Sequence, residues 1–228
     1  MPPTLTEENY LKAVYHLSGE RTLPVPTGLL ADYLRISAAS VTDKLKRLKQ
    51  EGLVEYQKSR GVLLSDAGLK IALAVIRKHR LWEQFLVQVL GFAWDEVHEM
   101  AEQLEHVKSH ELIERIDAYM GYPRFDPHGD PIPDASGALR SPSSMLLSEA
   151  PLAKDLRIVA VASNEPEFLR FLDGKGLRLQ TLVRIEHKET YDGSMMLRIQ
   201  QDNAVHLSGS VSSQIRVSLE SSGKDFRA

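Results

Sequence analysis

Six residues in the middle of the chain have the types and spacing of a metal site. His79 and Glu83 stand four apart in RKHRLWEQFL, and His98, Glu102, Glu105 and His106 follow at intervals of four, three and one in VHEMAEQLEHV. Residues three or four apart share a helix face, so each group would present imidazoles and carboxylates as one stripe. Such nitrogen and oxygen donors suit Mn(II), Fe(II) or Zn(II). A solvated acidic helix picks up one His–Glu pair by chance, but three His and three Glu on two adjacent helices point to a metal. The chain has no cysteine, which excludes a disulfide scaffold, a zinc ribbon, an iron–sulfur site and thiol catalysis together.

The elements that must position these residues are helices. Ser65 caps a long helix from Asp66 to about Leu90, stopped by Gly91. Asp95 opens a second to about Val107, and Ser109 caps a third ending at Gly121. The long helix is apolar on two sides, with Ile71, Val75, Trp82, Phe85 and Val89 on one and Leu69, Leu73, Ile76 and Leu86 elsewhere. That pattern predicts packing within its own domain and against a second subunit. Trp82, Phe85 and Val89, with Phe92 and Trp94 beyond Gly91, are the expected dimer contacts, with core packing the other reading of Trp82, Phe92 and Trp94.

Ahead of these helices the pattern is different. A first helix runs from Thr6 to a turn at Gly19, and a short one follows Pro26-Thr27 as far as Leu34. After a break at Arg35-Ile36-Ser37, a third spans Ala38 to Gln50, with Val41, Leu45 and Leu48 inward and Gly52 as its stop. LVEYQKSRGVLLS then reads as two short strands around Lys58-Ser59-Arg60-Gly61. Helix, turn, helix and hairpin make a winged helix-turn-helix. Its reading helix exposes Ser37, Ala39, Ser40, Asp43, Lys44 and Arg47. Small residues at its start allow close approach to base edges, Lys44 and Arg47 suit phosphates, and Lys58 and Arg60 of the wing suit the backbone. Charge divides accordingly: residues 36–52 hold four basic and two acidic residues, whereas 83–117 hold nine acidic and two basic. Double-stranded DNA suits the first segment and a cation the second.

Residues 121–150 contain five Pro, three Gly and five Ser, the composition of a linker. Beyond them LRIVAVAS, LVRIEHKE, MMLRIQ, AVHLSG and QIRVSLE read as five short strands, interrupted by a helix from Asn164 to Asp173, and predict a small barrel. The expected fold is mainly α with β: a winged helix-turn-helix over 1–65, a helical metal-binding and dimerisation domain over 66–122, a linker over 123–150 and a small barrel over 151–228. No run reaches the length of a membrane span and the opening MPPTLTEENY has no leader pattern, so a soluble cytoplasmic protein is expected. Asp173-Gly174-Lys175-Gly176 is read as a turn only, His128, His187 and His206 as surface or packing residues, and His110, just behind Ser109, as a helix-start residue.

TEENYLKAVYHL, RKHRLWEQFL, VHEMAEQLEHVKSHELIERI and the later PHGDPIP resemble the diphtheria-toxin-repressor family of metal-dependent transcriptional regulators, densely over 4–135 and loosely through a C-terminal barrel of the SH3-like, iron-transport-associated type. The resemblance implies two metal sites. An ancillary one would use His79, Glu83 and His98, completed from the barrel near Asn164, Glu165 or Glu167; an activating one would use Glu102, Glu105 and His106 with Asn9 from the first helix. Iron-type members carry Cys and Met at the positions of Glu102 and Asn9; manganese-type members carry Glu and Asp. Glu102 therefore points to Mn(II), with Fe(II) second and Zn(II) or Co(II) as substitutes. Asn9 offers only a neutral oxygen, and Lys12 stands where short manganese-type members carry Glu.

The function expected is a metal-activated, homodimeric regulator on a palindromic operator, and not an enzyme. Two other readings stay open. A metallohydrolase could use the same ligands, although the chain lacks the H-E-x-x-H arrangement. A winged-helix regulator could instead sense an organic ligand through its barrel.

Overall fold

The computed structural model describes residues 3–19, 22–57, 60–140, 143–199 and 203–220. The chain forms two compact units. The first draws on residues up to His79 with Glu105–Lys108 and Pro133–Ala138; the second on Arg80–Leu104, Ser109–Ile132 and the chain from Leu139 on.

In the first unit, α1 (Leu5–Leu17) starts at a capping box in which Thr4 accepts from the Glu7 backbone N–H and Glu7 accepts from that of Thr4. Its inner face, Tyr10, Leu11, Ala13, Val14 and Tyr15, is buried. The helices α2 (Thr27–Leu34) and α3 (Ala38–Gln50) are joined through Arg35 in the left-handed region at φ 55°. Val41, Leu45 and Leu48 of α3 are buried, which leaves the opposite face open. The wing pairs β1 (Val54–Gln57) with β2 (Gly61–Leu64) in antiparallel register. Val25 adds a bridge to Val62, and a Cβ on Gly61 would meet the Val25 carbonyl oxygen at 2.1 Å, so only glycine fits there. Lys58 lies outside the described residues. Helix α4 (Asp66–Gln88) gives its residues up to His79 to this unit.

The second unit has two cores. Leu81 and Trp82 pack with Ala101 of α5 (His98–Leu104), Ile113 and Ile116 of α6 (His110–Tyr119), and Ile132. The other core lies under a six-stranded antiparallel sheet in the order β3-β8-β4-β5-β6-β7, namely Met145–Leu146, Ile215–Leu219, Asp155–Val161, Leu182–Lys188, Met195–Ile199 and Asn203–Leu207. Five of these strands fall on the five predicted runs. The sixth, β3, is a two-residue strand in the segment read as linker. Helix α7 (Pro166–Gly174) and the short α8 (Gly209–Ser212) complete the unit.

Two expectations are corrected here. The second middle helix is shorter than Asp95–Val107, because a turn closes at Ala93–Glu96, with Glu96 bonded back to Ala93, and because Glu105 turns inward to 1% exposure after Leu104. Of the two readings of Trp82 and Trp94, subunit contact or core, the second holds: both are buried within the chain's own cores. Among the described residues no helix is long and apolar enough to cross a membrane.

Candidate metal centre and nucleic-acid interface

Because α5 stops at Leu104, Glu105 and His106 sit in the turn after it and belong to the same unit as the winged helix-turn-helix. There they meet α1. The His106 Nδ1–H donates to Glu8 Oε2 at 2.6 Å, and its Nε2 lies 3.8 Å from Glu105 Oε1. Asn9, the predicted first-helix ligand, is exposed, while Glu8 faces inward. The carboxylate that reaches His106 from α1 is therefore the neighbour of the residue predicted. Glu105 Oε2 accepts from His79 Nδ1 at 2.6 Å and from the Lys12 ammonium at 2.6 Å. Burial, the largest single influence, opposes the charge on Glu105, but His79 and Lys12 together outweigh it and hold the carboxyl below its ordinary range. Lys78 stands 3.9 Å from Glu8, and burial lowers its ammonium's pKa despite Glu8 and Glu105 nearby.

In the second unit Glu83, 2% exposed, is the hub. His98 Nδ1 is 3.1 Å from its Oε1, and His128 Nδ1 is 3.7 Å from its Oε2. Glu83, Asp126 and His128 are all buried and offer ligand atoms within 4.8 Å of one another. His128 Nε2–H donates to the Trp94 carbonyl at 2.8 Å, which aims Nδ1 at the group and fixes the ring as an outer partner does for a metal-bound histidine. Burial, with Asp130 and Glu83 adding to it, pushes the Asp126 carboxyl up to about 7. Burial works against the His128 charge, yet Glu83 and Asp126 raise the imidazole's pKa to about 9.

His128, read from sequence as a surface or packing residue, is thus part of this cluster, and Asp126 was missed altogether. The available signal was the spacing of Asp126, His128 and Gly129. Asp126 accepts from the backbone N–H of His128 and Asp130, and a Cβ on Gly129 (φ 91°) would strike the Val159 carbonyl oxygen at 2.1 Å. A segment with linker composition is therefore a tight, buried turn.

Of the other predicted ligands, Glu102 projects from α5 with its Oε1 3.7 Å from His98 Nε2. His79 precedes Glu83 by one turn of α4. Glu165 and Glu167, at the start of α7, are exposed, and the side chain that reaches His98 is Asn164, with its amide 2.8 Å from Nδ1.

On α3, Ser37 caps the helix by accepting from the Ser40 N–H, and Ser37, Ala39, Ser40, Asp43 and Arg47 are exposed, as is Arg60 on the wing. Lys44 is different. Its ammonium donates to Glu7 Oε1 at 2.8 Å with its side chain 17% exposed, so it fastens α3 to the first turn of α1.

A winged helix-turn-helix, a helical middle and a small antiparallel sheet, with carboxylate–imidazole clusters in both units, are the architecture of a metal-dependent transcriptional regulator. Residues 4–62 match the model of the iron-dependent repressor N-terminal DNA-binding domain, 65–134 its metal-binding and dimerisation domain, and 145–219 the FeoA domain. The iron-dependent repressor IdeR of Mycobacterium leprae is 34% identical over 161 residues, 71% of this chain and 68% of that protein. The diphtheria toxin repressor of Corynebacterium efficiens is 30% identical over 214 residues, 87% and 92% of the two chains. A solved manganese-dependent transcriptional repressor in complex with manganese superposes with a TM-score of 0.84 at 34% identity, covering 93% of this chain and 99% of that one. The chain belongs to the iron-dependent repressor family that includes the diphtheria toxin repressors.

Proposed function

We propose that the chain is a metal-activated regulator that binds a palindromic operator in double-stranded DNA as a homodimer, with Mn(II) as its preferred ion and Fe(II) second. The observation that carries this reading is the inclusion of Glu105 and His106 in the winged-helix unit, where His106 meets Glu8 on α1. The donors there are carboxylate oxygens and imidazole nitrogens, which fit Mn(II), Fe(II) or Zn(II). Glu8, Glu105 and His106 would hold the activating ion, and Glu102 is kept as a ligand on the resemblance. Glu83, Asp126, His128 and His98 would hold a second, with the neutral oxygen of Asn164 as a further donor. A divalent ion supplies positive charge on which these carboxylates and imidazoles converge.

The residues of α1 then carry the effect to DNA. Glu8 and Glu7 are adjacent in its first turn; Glu8 holds His106, and Glu7 holds Lys44 of the reading helix. Fixing Glu8 fixes the turn that fixes α3, which favours the placement that fits both half-sites. Arg47 and Arg60 would contact phosphates, and Lys58 is kept as a backbone contact on the sequence alone, while Ser37, Ala39 and Ser40 approach the bases and Asp43 borders them. Dimerisation would use the apolar residues left exposed beyond α4 and on α6, Val89, Leu90, Phe92 and Leu112.

Preference for Mn(II) over Fe(II) rests on the absence of any thiolate and on Glu102 in the place of the iron-type Cys. Gel shifts after chelation, repeated with Mn(II), Fe(II) under anaerobic conditions, Co(II) and Zn(II), test the reading. DNA affinity that ignores every ion would overturn it.

A further inference from the structure

We propose that Lys12 is a built-in competitor for the activating ion: its ammonium holds Glu105 and α1 together without metal, and it sets how much metal is needed to take Glu105 over. This rests on the ligand assignment proposed above. Glu8 and Lys12 stand one turn apart on α1 and grip the same turn of chain. Glu8 accepts from His106, and the Lys12 Nζ donates to Glu105 Oε2 at 2.6 Å while lying 3.3 Å from His79 Nδ1. The side chains of Lys12 and Glu105 are 11% and 2% exposed, so water screens the pair little.

The charges explain why this matters. Glu8 and Glu105 bring two negative charges to the cluster, and Lys78 and Lys12 face them with two positive ones. The formal charges of these four groups cancel before any ion arrives. An ion held by Glu8, Glu105 and His106 enters beside a largely buried cation that already holds Glu105. An ammonium is a point charge on a flexible stem, so it can withdraw, but its contact with Glu105 is lost when it does. A neutral residue of similar length would leave the ion only the His79 hydrogen bond to share Glu105 with.

Lys12→Met and Lys12→Gln remove the charge; Lys12→Arg keeps it. The readouts are the Mn(II) dissociation constant, from the electron paramagnetic resonance signal of free Mn(II), and amide exchange of α1 in metal-free protein. Both neutral variants are expected to bind Mn(II) about tenfold tighter or more, because a unit charge within a few ångströms of the ligand is gone. Their α1 amides are expected to exchange faster without metal, with Lys12→Arg close to the parent in both respects. Using two neutral variants guards against one that fails to fold. Unchanged or weaker Mn(II) binding in the neutral variants overturns the proposal. If the parent protein takes up no Mn(II), the proposed function fails instead; the competitor role then stands only if Lys12→Met gains an ion, and falls if it does not.

Discussion

Glu8 and Asn9 are neighbours on the first turn of α1, and only Glu8 faces His106. Glu8→Gln is therefore expected to weaken Mn(II) binding at least as much as loss of an outer-shell partner does, about 10–100-fold, while Asn9→Ala leaves it close to the parent value. Calorimetric titration of both variants checks this, and the reverse order would restore Asn9 as the ligand. Glu102→Cys puts a soft donor in place of a hard one and is expected to move the order of activation from Mn(II) toward Fe(II), Co(II) and Zn(II). An unchanged order across those ions would show that selectivity is set by other residues. The types in the site were legible from sequence, since three His and three Glu fall at helical spacing on adjacent segments. Which of two adjacent residues turns inward was not. His106 and Glu8 are 98 positions apart, and no periodicity reports such a contact. Asp126 and His128 escaped for a related reason, because proline-rich composition looks the same whether a turn is solvated or buried.

At the scale of elements, α1 is coupled to α3 through Glu7 and Lys44. The Lys44 hydrogen bond is the largest cause holding the Glu7 carboxyl below its ordinary 4.5. A depressed carboxyl contributes stability above its unfolded value, and that contribution fades as pH falls through the lower folded one. Lys44→Met should therefore flatten the loss of thermal stability below about pH 4.5; a profile that runs parallel to the parent would exclude the pair as a contributor. The same pairing divides the basic residues of α3. Arg47→Ala is expected to lower the salt slope of DNA binding by about one, and Lys44→Ala by less, since Lys44 is engaged by Glu7. Equal slopes for the two would place Lys44 on the phosphates. The boundaries of α2 and α3 were readable because their apolar positions repeat at helical spacing between clear stops. The end of α5 was not, because Glu105 leaves the helix to meet partners far away in sequence. Nor was β3, whose two residues carry no alternation to read.

For the whole molecule, the domain order was legible early, through changes of pattern from helix and hairpin to acidic helix to short strands. The partition of exposed and buried aromatics was not. Trp82 and Trp94 fill the chain's own cores, whereas Val89, Leu90 and Phe92 stay exposed. Phe92→Glu together with Val89→Glu is expected to give a folded monomer by light scattering, with operator affinity lost because two reading helices no longer act together. A dimer that survives both changes would locate the interface elsewhere. The central claim, that an ion at Glu105 and His106 governs DNA binding, is tested most directly by fluorescence anisotropy on a duplex selected from a random palindromic library. Parent protein and His106→Ala would each be measured with chelator and with saturating Mn(II). The parent is expected to bind tighter with Mn(II) by a factor within the usual coupling range, about 5–150-fold, and His106→Ala, still a folded dimer, to show no gain. Equal affinities for the parent under the two conditions, or a full Mn(II) response in His106→Ala, would contradict it.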